Sequence, residues 1–112
     1  MIQSYDDLYT TIESSIEQYS KTEDSVEMVF QKNDNGTCVM MNKANRKKFV
    51  FMFAKFGDEY KVGFALYIPD AYGAAPNPEW IEDIFHNEFD TRFVQTLITE
   101  HLIADGQEDN GW

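Results

Sequence analysis

The sequence predicts an α+β fold, with an N-terminal helix and two C-terminal helices packed on a four-stranded antiparallel meander. Three observations carry that expectation. Apolar residues recur at helical spacing near both ends of the chain, they alternate with a period of two through its middle, and the turns between the alternating stretches are short. A chain of 112 residues that is 43% hydrophobic and 15% aromatic can fill one core of ordinary domain size. That single domain is expected over residues 1–106, with 107–112 a flexible tail because no periodicity runs through them.

Ser4 precedes Tyr5, Leu8, Ile12, Ile16 and Tyr19, which share one face of a helix at about 100° per residue. Ser4 is placed to cap the first turn, where Asp6 and Asp7 also meet the positive end of the helix dipole. Lys21 to Asp24 break the helix. From Ser25 the period changes to two, with Val26, Met28 and Phe30 alternating with Glu27 and Gln31. Asn33-Asp34-Asn35-Gly36 is hairpin chemistry, because Asn and Gly tolerate positive φ, and Thr37 to Asn42 is the returning strand.

A basic connection, Lys43 to Lys48, leads into Phe49-Val50-Phe51-Met52-Phe53-Ala54-Lys55-Phe56. This run is apolar on both faces in its middle, the pattern of a central strand covered on both sides or lying at an interface. Gly57-Asp58 turns the chain into Tyr60, Val62, Phe64, Leu66 and Ile68, which alternate with Lys61, Gly63, Ala65 and Tyr67. Pro69 to Pro78 reads as a loop. Asn77-Pro78 then starts a second helix with Trp80, Ile81, Ile84 and Phe85 on one face and Glu79, Glu82, Asp83 and His86 on the other. Asp90 or Thr91 caps a third helix bearing Phe93, Val94, Leu97, Ile98 and Leu102, expected to end near Ala104 or Asp105 before Gly106.

Charge is sorted along the chain. Residues 1–35 carry a net −6, residues 36–64 a net +4 and residues 65–112 a net −9, for a total of −11. Such a charge repels polyanions and attracts basic partners, so it argues against direct nucleic-acid binding. Lys43, Arg46, Lys47 and Lys48 form a basic strip beside Phe49 and Phe51, which resembles a phosphate-gripping segment only superficially. The plainer reading is a solvated connection that offsets neighbouring acid. The N-terminus lacks the basic and apolar regions of a signal peptide, and no apolar run approaches the ~20 residues that span a bilayer. With a single cysteine, Cys38, set in an apolar run, the expected setting is cytoplasmic and reducing, with no membrane association.

Motifs for chemistry are weak. Glu82, Asp83, His86 and Asp90 have metal-ligand residue types, and on a helix the four-residue spacing of Glu82 and His86 would let both reach one ion. No second His stands nearby, so a solvated helix face is the preferred reading and no metal is expected. His101 lies among Leu97, Ile98 and Leu102 and reads as a satisfied core residue. Cys38 lacks a neighbouring base in sequence, and the six glycines form no phosphate-binding pattern. No cofactor and no catalytic residue is expected. Tyr72 inside the Pro69–Pro78 loop and Trp80 just after it are candidate interface anchors, though Trp80 shares a face with Ile84 and reads as core.

The expectation is therefore a small, acidic, non-enzymatic binding protein that engages a basic protein surface. Inhibitors, immunity proteins and adaptors share this size and charge, and imitation of nucleic-acid phosphates is one form such binding takes. The acids expected to carry it are Glu13 and Glu17 on the first helix with Glu79, Glu82 and Asp83 on the second. Two alternatives stand beside it. One is a small enzyme or ligand-binding domain with a pocket between sheet and helices, using Glu82, His86 and His101. The other is a self-associating subunit, motivated by the doubly apolar strand from Phe49 to Phe56.

Overall fold

Helix α1 (Tyr5–Ser20) begins where the sequence places it. The Ser4 hydroxyl accepts the backbone N–H of Asp7 at 3.2 Å, and the Asp7 carboxylate in return accepts the N–H of Gln3 at 2.9 Å. Leu8, Ile12 and Tyr19 are buried, with Tyr5, Tyr9 and Ile16 packed at their margin. The computed structural model describes residues 2–72, 74 and 77–103, so the expected tail at 107–112 and the expected end of the last helix lie outside the described residues.

Five strands follow: β1 (Met28–Lys32), β2 (Cys38–Asn42), β3 (Lys48–Phe56), β4 (Glu59–Tyr67) and β5 (Trp80–Phe85). They pair antiparallel in the order β1-β2-β3-β4-β5, so the meander has five strands where four were expected. The turns obey the expected chemistry. Gly36 takes φ +93° in the first hairpin, where its carbonyl accepts the Tyr9 hydroxyl at 2.7 Å, and Gly57 takes φ +64° between β3 and β4.

The fifth strand corrects the expected second helix. Trp80, Ile81, Ile84 and Phe85 fit a helical face and follow no two-residue alternation, but all four are strong β formers. Tertiary context decides between the two. As the last strand of the meander, β4 offers a row of unpaired N–H and C=O groups along one side, and pairing residues 80–85 with it satisfies them. Pairing runs from Leu66 opposite Trp80 to Lys61 opposite Phe85.

A short 3-10 turn (His86–Glu88) leads to α2 (Thr91–Leu97), capped by Asp90, whose carboxylate accepts the Phe93 N–H at 2.8 Å. Instead of continuing as one α-helix, the chain passes into a π-helical turn at Ile98–Leu102. Thr96 and Thr99 hydroxyls donate back to the carbonyls of Arg92 and Gln95, both at 3.1 Å, and compete with the α-helical ladder there. The N–H of Ile103 reaches five residues back to Ile98 at 3.1 Å.

All helical segments pack on one side of the sheet. Phe51 and Phe64 meet Phe89 and Phe93, Phe53 and Phe30 meet Tyr5 and Tyr9, and Phe49 and Trp80 meet His101. Ser15 is buried where the two helices cross; its carbonyl accepts the Gln95 side-chain amide at 2.7 Å. The result is one α+β domain of two layers, helices over an antiparallel sheet.

Candidate functional site

Once residues 80–85 form a strand, their side chains alternate between the two faces of the sheet. Glu82 projects toward the helix side with Trp80 and Ile84, while Asp83 projects to the opposite face with Ile81 and Phe85. Both carboxylates are exposed, and Asp83 pairs with Lys61 at 3.4 Å. Glu79, also exposed, precedes the strand, its N–H bonded to the Leu66 carbonyl. The three acids expected to share a helix face are thus distributed over an edge strand and both of its sides.

The helical spacing behind the candidate metal cluster of Glu82, Asp83, His86 and Asp90 disappears for the same reason. Among the described residues, no three His, Cys, Asp or Glu side chains come together as a cation site. His86 instead lines an open groove of about 420 Å³ with Asp58, Glu59, Tyr60, Phe85, Asn87 and Glu88. Its Nδ1 is buried and has no hydrogen-bond partner among the described residues, and its ring stands edge-on to Tyr60 at 6.3 Å. Tyr60 is itself engaged, stacked on Phe53 at 5.2 Å with the Lys55 ammonium 5.4 Å from its ring centroid.

His101 sits half-buried at the other end of β5, its ring 4.9 Å from Trp80 and 5.8 Å from Phe49. His86 follows Phe85, so the two histidines are separated by the length of a six-residue strand, roughly 17 Å at 3.4 Å per step. They do not converge on one substrate. Trp80 packs against the core, with Phe49 and Phe64 in edge contact. Tyr72 is 95% exposed in a loop turned by Asp70, whose carboxylate accepts the N–H groups of Tyr72 and Ala74.

Cys38 is fully buried beneath α1. Burial, reinforced by the negative charge of Glu13, pushes its thiol up from 9.0 to about 12, against a smaller opposing effect of Lys32. A thiol so placed stays protonated at neutral pH and is a poor nucleophile. It also sets a direction for stability: the unfolded thiol ionises first, so stability falls as pH rises from about 9 toward about 12.

The basic strip occupies the β2–β3 turn and the start of β3. Lys43 is exposed and pairs with Glu27 at 3.5 Å, Arg46 takes a positive φ of 67° at the turn, and the Lys48 ammonium lies 5.6 Å from the Tyr67 ring centroid. Lys47 is half-buried, and its N–H bonds the Asn45 side chain at 2.9 Å. These residues do not form one grip. What organises the turn is a residue the sequence reading passed over, Asn42, which is 3% exposed. Its side chain donates to the Leu102 carbonyl at 3.0 Å and accepts the Ala44 N–H at 2.8 Å, while Asn45 donates to the same carbonyl at 2.8 Å. An Asn at the end of an apolar strand, facing the core by parity, was the available signal.

Two surfaces remain. On α1, Asp6, Glu13 and Glu17 are exposed along the outward side, and the 16-residue helix contains no Lys or Arg. Of the described ion pairs, Lys43–Glu27 and Lys61–Asp83, neither reaches this helix. The second surface is the face of the sheet opposite the helices. There Val39, Val50, Ala65 and Ile81 form one row across four strands, flanked by Met52 and Gly63. Ile81 is 67% exposed, Met52 45% and Phe85 41%.

Comparison with known proteins returns no match: no family model, curated protein or solved structure is detectably similar to this chain. No helix among the described residues is long and apolar enough to cross a membrane.

Proposed function

We propose that this protein works by binding, and that the outward stripe of α1 engages a basic surface on another protein. The supporting observation is Asp6, Glu13 and Glu17 exposed along one rigid helix, with no basic side chain on that helix to neutralise them. Asp6, Glu13 and Glu17, seven and four residues apart, fall on one side of the helix and present a fixed row of charge at little conformational cost. The net charge of −11 adds a long-range field that speeds encounter with a cation-rich partner. Cys38, buried and protonated, is a poor nucleophile in this fold.

The test compares two affinity columns, one carrying the wild-type protein and one the Glu13→Lys/Glu17→Lys variant. Both are loaded with the same source lysate and eluted by rising salt. Basic proteins held by the wild type and released by salt should be retained about tenfold less by the variant. Equal retention on both columns, or release that ignores salt, would contradict the role of α1.

A further inference from the structure

We propose that the uncovered face of the sheet is a dimerisation surface whose occupant is a second copy of this chain. This inference does not rest on the reading of α1, because it concerns the opposite side of the molecule. An antiparallel sheet with one solvated face ordinarily shows polar residues there. Here the outward positions of the three central strands include Val39, Met41, Val50, Met52, Ala54, Gly63 and Ala65, and edge strand β5 adds Ile81 and Phe85. Between β3 and β4 lies a shallow apolar depression of about 210 Å³, bounded by Val50, Met52, Ala65, Tyr67 and Ile81.

Three observations favour a second copy. The first is charge. The face bears Lys48 and Lys61 against Glu59 and Asp83, so it is balanced within a chain of net −11. Lys61 is tied to Asp83 at 3.4 Å, its ammonium 4.9 Å from the Phe85 ring centroid, while Lys48 lies near Tyr67. A neutral, apolar face neither attracts a basic partner nor repels its own image.

Size is the second observation. Five strands about 4.8 Å apart and some seven residues long cover on the order of 600 Å² per copy, near 1,200 Å² for a pair. That reaches the range of specific, stable interfaces.

Shape is the third. β3 is bulkier than β4 at Val50 opposite Ala65 and smaller at Ala54 opposite Lys61, while the Met52 side chain itself lies over Gly63. A two-fold axis running between β3 and β4 lays β3 of one copy over β4 of the other, so bulk meets space. Two such sheets stack with strands roughly 30° apart, as in sandwiches. The helices then form the outer layers, and the acidic stripes of α1 face away from the contact.

Sedimentation equilibrium across micromolar to near-millimolar concentration, at low and high salt, tests this directly. The expected species has twice the 13.0 kDa chain mass, and its association tightens as salt screens the repulsion between two −11 chains. Ile81→Lys lowers the net negative charge, so any loss of association reflects the buried face and not added repulsion. It should raise the dimer dissociation constant about thirtyfold or more, with unchanged far-ultraviolet circular dichroism, and Met52→Lys should do the same from the neighbouring strand. A chain that stays monomeric throughout, a dimer insensitive to both variants, or a dimer dissolved by salt would each overturn the proposal. Glu13→Lys/Glu17→Lys should leave the dimer intact, so failure of the α1 reading is separable from failure of this one.

Discussion

Replacing Phe51 by alanine should destabilise the fold by about 3–5 kcal/mol, the largest single effect expected in this chain. Phe51 is fully buried in the third of five strands, and its ring meets Phe49 at 5.9 Å, Phe64 at 6.4 Å and Phe89 at 5.8 Å. Truncation removes its transfer energy and leaves a cavity walled by other rings, which sit on two strands and a helix-side segment and have little freedom to collapse inward. The loss is a large share of the roughly 5–15 kcal/mol that holds a typical domain together. Urea unfolding followed by tryptophan fluorescence should show a midpoint far below wild type, or a chain already unfolded in buffer. Phe53→Ala is the control. Phe53 is only partly buried, so its truncation should cost clearly less, and equal costs would show that Phe51 does not sit at the centre of the core.

Asn42→Ala is expected to cost about 2–4 kcal/mol by a different route. The Asn42 amide holds the β2–β3 turn and the end of the π-helical turn in one network, donating to Leu102 and accepting from Ala44 and Asn45. Alanine leaves the Ala44 and Asn45 N–H groups without their acceptor in a half-buried turn, and the Leu102 carbonyl with only Asn45. Asn42→Asp separates the two halves of the effect. The carboxylate still accepts from the turn but places negative charge beside a carbonyl oxygen, so at neutral pH it should be at least as damaging as alanine. Equilibrium unfolding of the three proteins decides the matter. If Asn42→Ala unfolds like the wild type, the network does not hold the C-terminal segment to the sheet.

Much of this architecture is legible in the residues. Ser4 and Asp90 announce their helices because a capping side chain acts on N–H groups three residues away, a local effect. Gly36 and Gly57 announce their turns for an equally local reason, the cost of positive φ for other residues. The segment from Trp80 to Phe85 misleads because its apolar spacing suits a helix and not a two-residue alternation, and only the unpaired edge of β4, distant in sequence, selects the strand. That one difference rearranges the candidate site. Glu82 and Asp83 part to opposite faces, His86 is carried away from His101, and the sheet gains a fifth strand whose outward Ile81 and Phe85 widen an apolar surface. The doubly apolar pattern of Phe49 to Phe56 was visible from the start. Sequence could not say that helices cover the Phe49–Phe51 side alone, since that depends on which face α1 and α2 choose.

Because the dispersal of the expected acidic helix face and the widened apolar sheet face both follow from β5, the most direct test is the backbone conformation of residues 80–85 in solution. Assigned carbon and proton chemical shifts, with nuclear Overhauser contacts, should show extended values from Trp80 to Phe85 and cross-strand contacts between Ala65 and Ile81 and between Gly63 and Asp83. Helical shifts through this segment, with sequential amide contacts and none to β4, would contradict the account: Glu79, Glu82 and Asp83 would return to a helix face, and the widened sheet face would not exist.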